Sequence, residues 1–164
     1  MILLRRKDRA ITDIRQINEV LQAAKIVHLG MIDHDRPYVV PLNYGYEWQE
    51  EQLILYIHGA MSGRKIEVLK QNPHVFVEID HYLGAIDGKE IPCKYSSAYA
   101  SIMADGVAKL LTEPTEKIHG LNVLMRTQTN RDFAMTEEMV KMVQVIQINL
   151  FNLSAKQRLM PESN

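Results

Sequence analysis

LILYIHGAMSGRKIEVLKQNPHVFVEID, residues 53–80, changes its hydrophobic period twice. Leu53, Leu55 and Ile57 alternate with Ile54, Tyr56 and His58, the two-residue repeat of a β-strand. Gly59, Ala60, Ser62 and Gly63 are small residues suited to a turn. Ser62 is a good N-cap, and Ile66 and Leu69 recur at helical spacing. Asn72-Pro73 then stops the helix, because proline lacks an N–H and disfavours helical backbone in the residue before it. Val75, Val77 and Ile79 restore the alternation. The stretch predicts strand, turn, short helix, strand.

Working outward toward the N-terminus, Ile26 to Ile32 and Tyr38 to Leu42 alternate on either side of the polar turn Asp33-His34-Asp35-Arg36, predicting a hairpin. Before it, Asp13 and Gln16 fit a capping box ahead of the helical stripe Ile14, Ile17, Leu21 and Ala24. Glu47 to Gln52 breaks the strand pattern. Toward the C-terminus, His81 to Cys93 has no period and reads as an irregular loop, and Lys94 to Leu111 reads as one long strand with Gly106 as its bulge. Glu113-Pro114 opens a helix carrying Ile118, Leu121, Leu124 and Met125. Thr136 to Met142 is a further short helix and Val143 to Leu150 the last strand. With no internal repeat or linker, the order predicts a single domain over residues 1–164, an antiparallel, mainly β barrel with peripheral helices.

Composition narrows the class. The chain has 164 residues, enough for one core, and its 46% hydrophobic and 24% charged shares are those of a globular protein. Lys+Arg 19 against Asp+Glu 20 provides no global field to attract nucleic acid, and no run approaches the ~20 apolar residues of a membrane span. Met1 to Arg6 is too short for a signal-peptide core. A single cysteine, Cys93, allows no internal disulfide, and no Cys/His motif marks a metal site. The expectation is a cytoplasmic protein without metal, membrane or nucleic-acid partners.

The turn at 59–65 has the parts of an anion site. A helix N-terminus presents unpaired N–H groups and partial positive charge, and Gly63 lets an oxyanion approach the backbone. Arg64 and Lys65 in the first helical turn oppose the dipole unless something negative neutralises them. The commoner arrangement of this kind, a solvated turn with exposed cations, has no need of a ligand. No GxxxxGK[ST] or GxGxxG is present, so neither nucleotide hydrolysis nor a Rossmann site is supported. Pro41 inside a strand marks either a sheet edge or backbone facing something other than a neighbouring strand.

Three stretches together, RPYVVPLNYGY (36–46), residues 53–80 and YASIMADGVAKLLTEPTEKIHGLNVLM (99–125), closely resemble the flavin-binding split barrels related to pyridoxamine 5'-phosphate oxidase. Within them the chain is most similar to the 5-nitroimidazole resistance reductase branch. The resemblance implies a homodimer with FMN between subunits, FAD being the open alternative. It would place Val40, Pro41, Leu42 and Asn43 along the isoalloxazine ring, and His58 and Ala60 beside the ring and ribityl chain. Gly63, Arg64 and Lys65 would hold the phosphate, with Ser101 and Lys156 also facing the flavin. His58 is the implied catalytic residue, a proton donor near neutral pH. Three departures stand out: Gly59 where the branch often has Ser, Ala104-Asp105-Gly106 in place of Gly-Phe-Gly, and Ala155 in place of a glycine before Lys156.

The implied function is a flavin-dependent reductase of a small aromatic or nitroaromatic acceptor, with NAD(P)H as a candidate donor. The alternatives are a non-catalytic flavin or haem-type binder, and an oxidase resembling pyridoxamine 5'-phosphate oxidase itself. The oxidase requires a second basic cluster, for which Arg126, Arg131 and Arg158 are the candidates.

Overall fold

The structure, a computed structural model, describes residues 6–161, so the apolar start of the chain lies outside the described residues. Eight antiparallel strands form one sheet: β1 (Ala10–Ile11), β2 (Ile26–Asp33), β3 (Arg36–Asn43), β4 (Gly45–Gln49), β5 (Gln52–Ala60), β6 (His74–Ile86), β7 (Ser96–Leu110) and β8 (Val143–Arg158). Their order is β3-β2-β6-β7-β8-β5-β4, with β1 added on β8. The sheet does not close by hydrogen bonds, but β3 bends round into contact with β5, giving an open, split barrel.

Helices fill the connections. Asp13 caps α1 (Ile14–Ala23) by accepting from Arg15 N–H at 2.8 Å, and the helix buries Ile17, Val20 and Leu21 against the sheet. α2 is Arg64–Gln71 and buries Ile66, Val68 and Leu69. α3 (Pro114–Thr129) starts on Pro114 and ends at Asn130 in the left-handed region, φ 57°. α4 is Glu137–Val140, capped by Thr136.

The barrel interior holds the main core, from Val27, Leu29, Leu53, Leu55, Ile57, Val77, Ile79, Ile102, Ile146 and Ile148 among others. A smaller core, Ile54, Tyr56, Leu111, Val123 and Val145, lies between the outer face of β5 and α3. Strand β5 is therefore buried on both faces, which is why its sequence is an unbroken apolar run. Two glycines allow α3 to lie this close. A Cβ on Gly120 would come within 2.6 Å of the Tyr56 ring, and one on Gly45 within 2.3 Å of the Leu124 backbone.

Four expectations are corrected. The segment from His81 is not wholly irregular: β6 continues to Ile86, paired with Ser96 of β7, with Gly84 at φ 139° carrying a bulge. Glu47 does not end the local strand but sits within β4, which turns into β5 through Glu50 at φ 54°. The final strand runs on to Arg158, well past Leu150. Gly106 is not the bulge. The register shifts between Met103 and Asp105, where β8 carries the extra residue, with Asn152 at φ 53° donating to the Asp105 carboxylate at 3.0 Å. Gly106 instead leaves space for Ile148, Val75 and Leu150, which a Cβ there would meet at 2.8 to 3.1 Å. Met139 and Met142 are exposed, whereas Trp48 packs on the core and donates to Asn18 at 2.8 Å.

Because the Gly45 contact is with backbone, which cannot rotate away, Gly45→Ala is expected to lower the unfolding free energy by about 2 kcal/mol or more. Urea denaturation measures this, and an unchanged midpoint would show that α3 can move off β4 at little cost.

Candidate functional site

Strand β5 leaves its two cores at Ile57, and the chain opens onto solvent where it turns into α2. The helix is capped one residue later than Ser62. Gly63, at φ 131°, is the N-cap, a conformation that favours glycine, and no side chain caps the helix. Gly63 carbonyl accepts from Ile66 N–H at 2.9 Å and Glu67 N–H at 3.1 Å. The first amides of the helix have no intrahelical acceptor. A Cβ placed on Gly63 meets nothing within 4 Å, so the space before these amides is open.

Lys65 is half-buried and makes no hydrogen bond or ion pair among the described residues. Burial holds its ammonium below the usual lysine range. Its Nζ lies over Gly59, where a Cβ would sit 3.1 Å away, so the lack of a side chain there leaves room for this cation. Next to it, His58 projects from the outer face of β5 and is accessible to solvent. Desolvation by surrounding protein, and secondarily the charge on Lys65, hold the imidazole below the ordinary histidine value.

Arg64 differs from Lys65. Its Nε donates to Asp33 Oδ2 at 2.7 Å and its guanidinium lies over the Tyr38 ring, 4.3 Å from the centroid. Hydrogen bonds from His34 and then Arg64 hold the Asp33 carboxyl below its usual range. The hairpin between β2 and β3 therefore fixes Arg64 at the edge of the opening. Asp33 and Tyr38 carried no sequence signal for this role, since their partner is 26 or more residues away.

The other expected residues divide. Val40 and Leu42 pack inward on the core, while Pro41 and Asn43 point to the exposed face of β3, the terminal strand of the sheet order. Pro41 thus sits on an edge strand, as one of its two readings required. Asn43 donates to Lys25 carbonyl at 3.1 Å and to Gln128 at 3.3 Å within its own chain. Ala60 ends β5 beside the turn. Ser101 and Lys156 are not at this corner. They face each other across β7 and β8, whereas His58 pairs with Val145, eleven residues earlier on β8. That is on the order of 35 Å of strand at about 3.3 Å per residue. Arg126, Arg131 and Arg158 form no phosphate cluster. Arg126 pairs with Asp132 at 2.8 Å, Arg131 lies over Phe133, and Arg158 donates to Ser96. Cys93 is exposed.

A cavity of about 490 Å³ beside α3 is lined by Tyr56, Glu116, His119 and neighbours. Glu47 engages three of its lining side chains: it accepts from Tyr56 at 2.8 Å and Gln49 at 3.1 Å, and contacts His119 Nε2 at 2.9 Å. Burial pushes the Glu47 carboxyl up, and these hydrogen bonds outweigh it and hold it below the ordinary range. The network pins α3 to β4, and none of the expected flavin residues reaches it.

Residues 13–157 match the pyridoxamine 5'-phosphate oxidase family. No curated protein matches the sequence. Among solved structures, a candidate 5-nitroimidazole antibiotic resistance protein from Bacteroides thetaiotaomicron is 29% identical, with 90% of this chain and 86% of that one covered at a TM-score of 0.76. A flavocytochrome from Azotobacter vinelandii, 19% identical, covers 99% of this chain and 75% of its own at 0.77. A FAD- and haem-binding protein from Mycobacterium smegmatis, 16% identical, covers 95% and 77% at 0.76. At those identities the last two speak for the fold alone. No helix among the described residues is long and apolar enough to cross a membrane. With nearly the whole described chain matched and the split barrel in place, the protein belongs to the pyridoxamine 5'-phosphate oxidase family.

Proposed function

We propose that the protein is an FMN-dependent reductase of small aromatic or nitroaromatic acceptors, working as a homodimer in the cytoplasm. The observation that carries this reading is Lys65, a half-buried cation without a counter-ion among the described residues, set beside a glycine N-cap and open helix amides. A phosphate monoester fits this opening in charge and in hydrogen-bond donors. When bound, the flavin would supply the electron transfer, from a donor such as NAD(P)H to the acceptor.

The chain's own residues divide the work. Lys65 and the first α2 amides neutralise and orient the phosphate, while Arg64, held by Asp33 and Tyr38, adds charge at the rim with little freedom lost on binding. His58 starts neutral because of its surroundings and Lys65. A dianion docked on Lys65 cancels that like charge, so cofactor binding raises the imidazole pKa toward the value at which it can deliver a proton to the acceptor.

Two features support a dimer. Ile32, Val39 and Phe76 leave an apolar strip uncovered on the outer sheet face. Lys156, half-buried and far along β8 from its own chain's corner, suits a role at the partner's flavin. Ser101 stands directly opposite Lys156 on β7 and would share that role. FAD is the second reading, favoured by the open space beyond Gly63 into which an adenylate could extend.

Lys65→Ala should weaken flavin binding about 10- to 100-fold and Arg64→Ala less, since charge-assisted hydrogen bonds contribute about 1.5–3 kcal/mol and Arg64 keeps Asp33 as partner. Fluorescence titration reads both. Stoichiometric flavin retained by the folded double variant would sink the phosphate assignment, and a yellow protein that never consumes NAD(P)H with an acceptor present would leave a binder and not a reductase.

For His58, an NMR titration should show a pKa below 6.5 in the free protein. Removing the neighbouring charge in Lys65→Met should move it up, as should saturation with FMN. A downward shift in either case would contradict the coupling.

A further inference from the structure

Lys117, in the first turn of α3, faces the protein and is only 6% exposed. Its ammonium makes no hydrogen bond or ion pair with any described residue. Among those residues no fully sealed polar side-chain atom lacks a partner, so the stem of Lys117 is what the protein covers and its head stays open. The opening is a cavity of about 400 Å³ between α3 and α4, walled by Lys117, Pro114 and Val140, with Glu137, Glu138 and Lys141 around them. Side chains on a helix lean toward its N-terminus, so the Lys117 stem runs back toward the start of α3.

That helix start is itself short of negative charge. Pro114 has no N–H, and the first intrahelical bond runs from Lys117 N–H to the Glu113 carbonyl at 3.0 Å, which leaves the Thr115 and Glu116 amides without an acceptor. Glu113 stands at the N-cap but does not cap with its side chain. Glu116, the acid placed to complement the dipole, is drawn to Lys109 at 2.8 Å, and both line the other cavity beside α3. A lysine with a covered stem commonly puts its head into open water and needs nothing further. Here the head shares the positive end of a helix, where a cation is disfavoured and an anion favoured, and the stem has given up its rotamer freedom. The open amides and the unpaired lysine are separate observations that call for the same kind of group.

The remaining wall limits which anion fits. Glu138 lies 3.8 Å from Lys141 and offsets it, while the Glu137 carboxylate makes no hydrogen bond or ion pair among the described residues. These two carboxylates repel a dianion such as phosphate more strongly than a singly charged group. Pro114 and Val140 offer apolar surface to a short hydrocarbon tail. We propose that the cavity between α3 and α4 binds a small organic monocarboxylate, its carboxylate held by Lys117 Nζ and the Thr115 and Glu116 amides. None of the residues given to the flavin lines this cavity, so the assignment stands independently of the flavin reading.

The test titrates the full chain, labelled with ¹⁵N and with ¹³C-lysine, with sodium butyrate at neutral pH against a sodium chloride control. The Thr115 and Glu116 amide signals and the Lys117 ε-methylene signal should move together and saturate, with a Kd of about 1 mM, within reach of a ligand of six heavy atoms. Lys117→Met should weaken binding at least about tenfold, the loss of one charge-assisted hydrogen bond. Glu137→Gln should tighten it about twofold, as removal of an exposed like charge does. Lys65→Met, at the other corner, should change nothing, and inorganic phosphate should bind more weakly than butyrate. Should Lys117→Met not fold, the Lys117 signal of the wild type decides. Shifts that never saturate or that sodium chloride reproduces, unchanged affinity in folded Lys117→Met, or phosphate binding as tightly as butyrate would overturn the proposal. So would a double-mutant coupling between Lys117 and Glu137 in urea denaturation with no butyrate bound, which marks a closed ion pair.

Discussion

A strand needs a reason to be apolar on both faces, and in this molecule the reason is α3. The barrel core takes Leu53, Leu55 and Ile57, and α3 takes Ile54 and Tyr56 on the reverse side. The approach is possible only because Gly45 and Gly120 present no side chain to the helix, and it is locked by Glu47 bridging Tyr56 and His119. With β5 held between two cores, the point at which it emerges is rigid. The turn at 59–63 and the start of α2 inherit that rigidity, so the site is carried by packed elements and not by a free loop.

At that emergence the electrostatics are left incomplete. Cations in the first turn of a helix work against its dipole, and the chain resolves this for Arg64 with Asp33 and Tyr38 but leaves Lys65 without an anion. A local rule broken without a compensating partner among the described residues is what the proposed phosphate site would cost the free protein.

Much of this was legible in the residues. The strand–turn–helix–strand order of 53–80, the caps at Asp13 and Pro114, and the basic helix start all follow from short-range rules, and the structure repeats them. The errors also have a common source. Gly106 packs closely where a bulge was expected and Gly84 carries a bulge where an irregular loop was expected, since a glycine in a strand serves equally for a bulge or for close packing and only the neighbouring strands decide which. Glu47 looked like a strand breaker because its partner, His119, is 72 residues away.

Sequence alone determined most of the elements, the barrel class and the two cations that open α2, because helix and strand periods, caps and helix-end charge act over a few residues. Tertiary structure decided which cation is free, that Ser101 and Lys156 stand apart from their own chain's corner, and that His28 meets Glu78. Those outcomes depend on strand register, and register sets side by side residues that lie 50 or more positions apart, a separation no local pattern records.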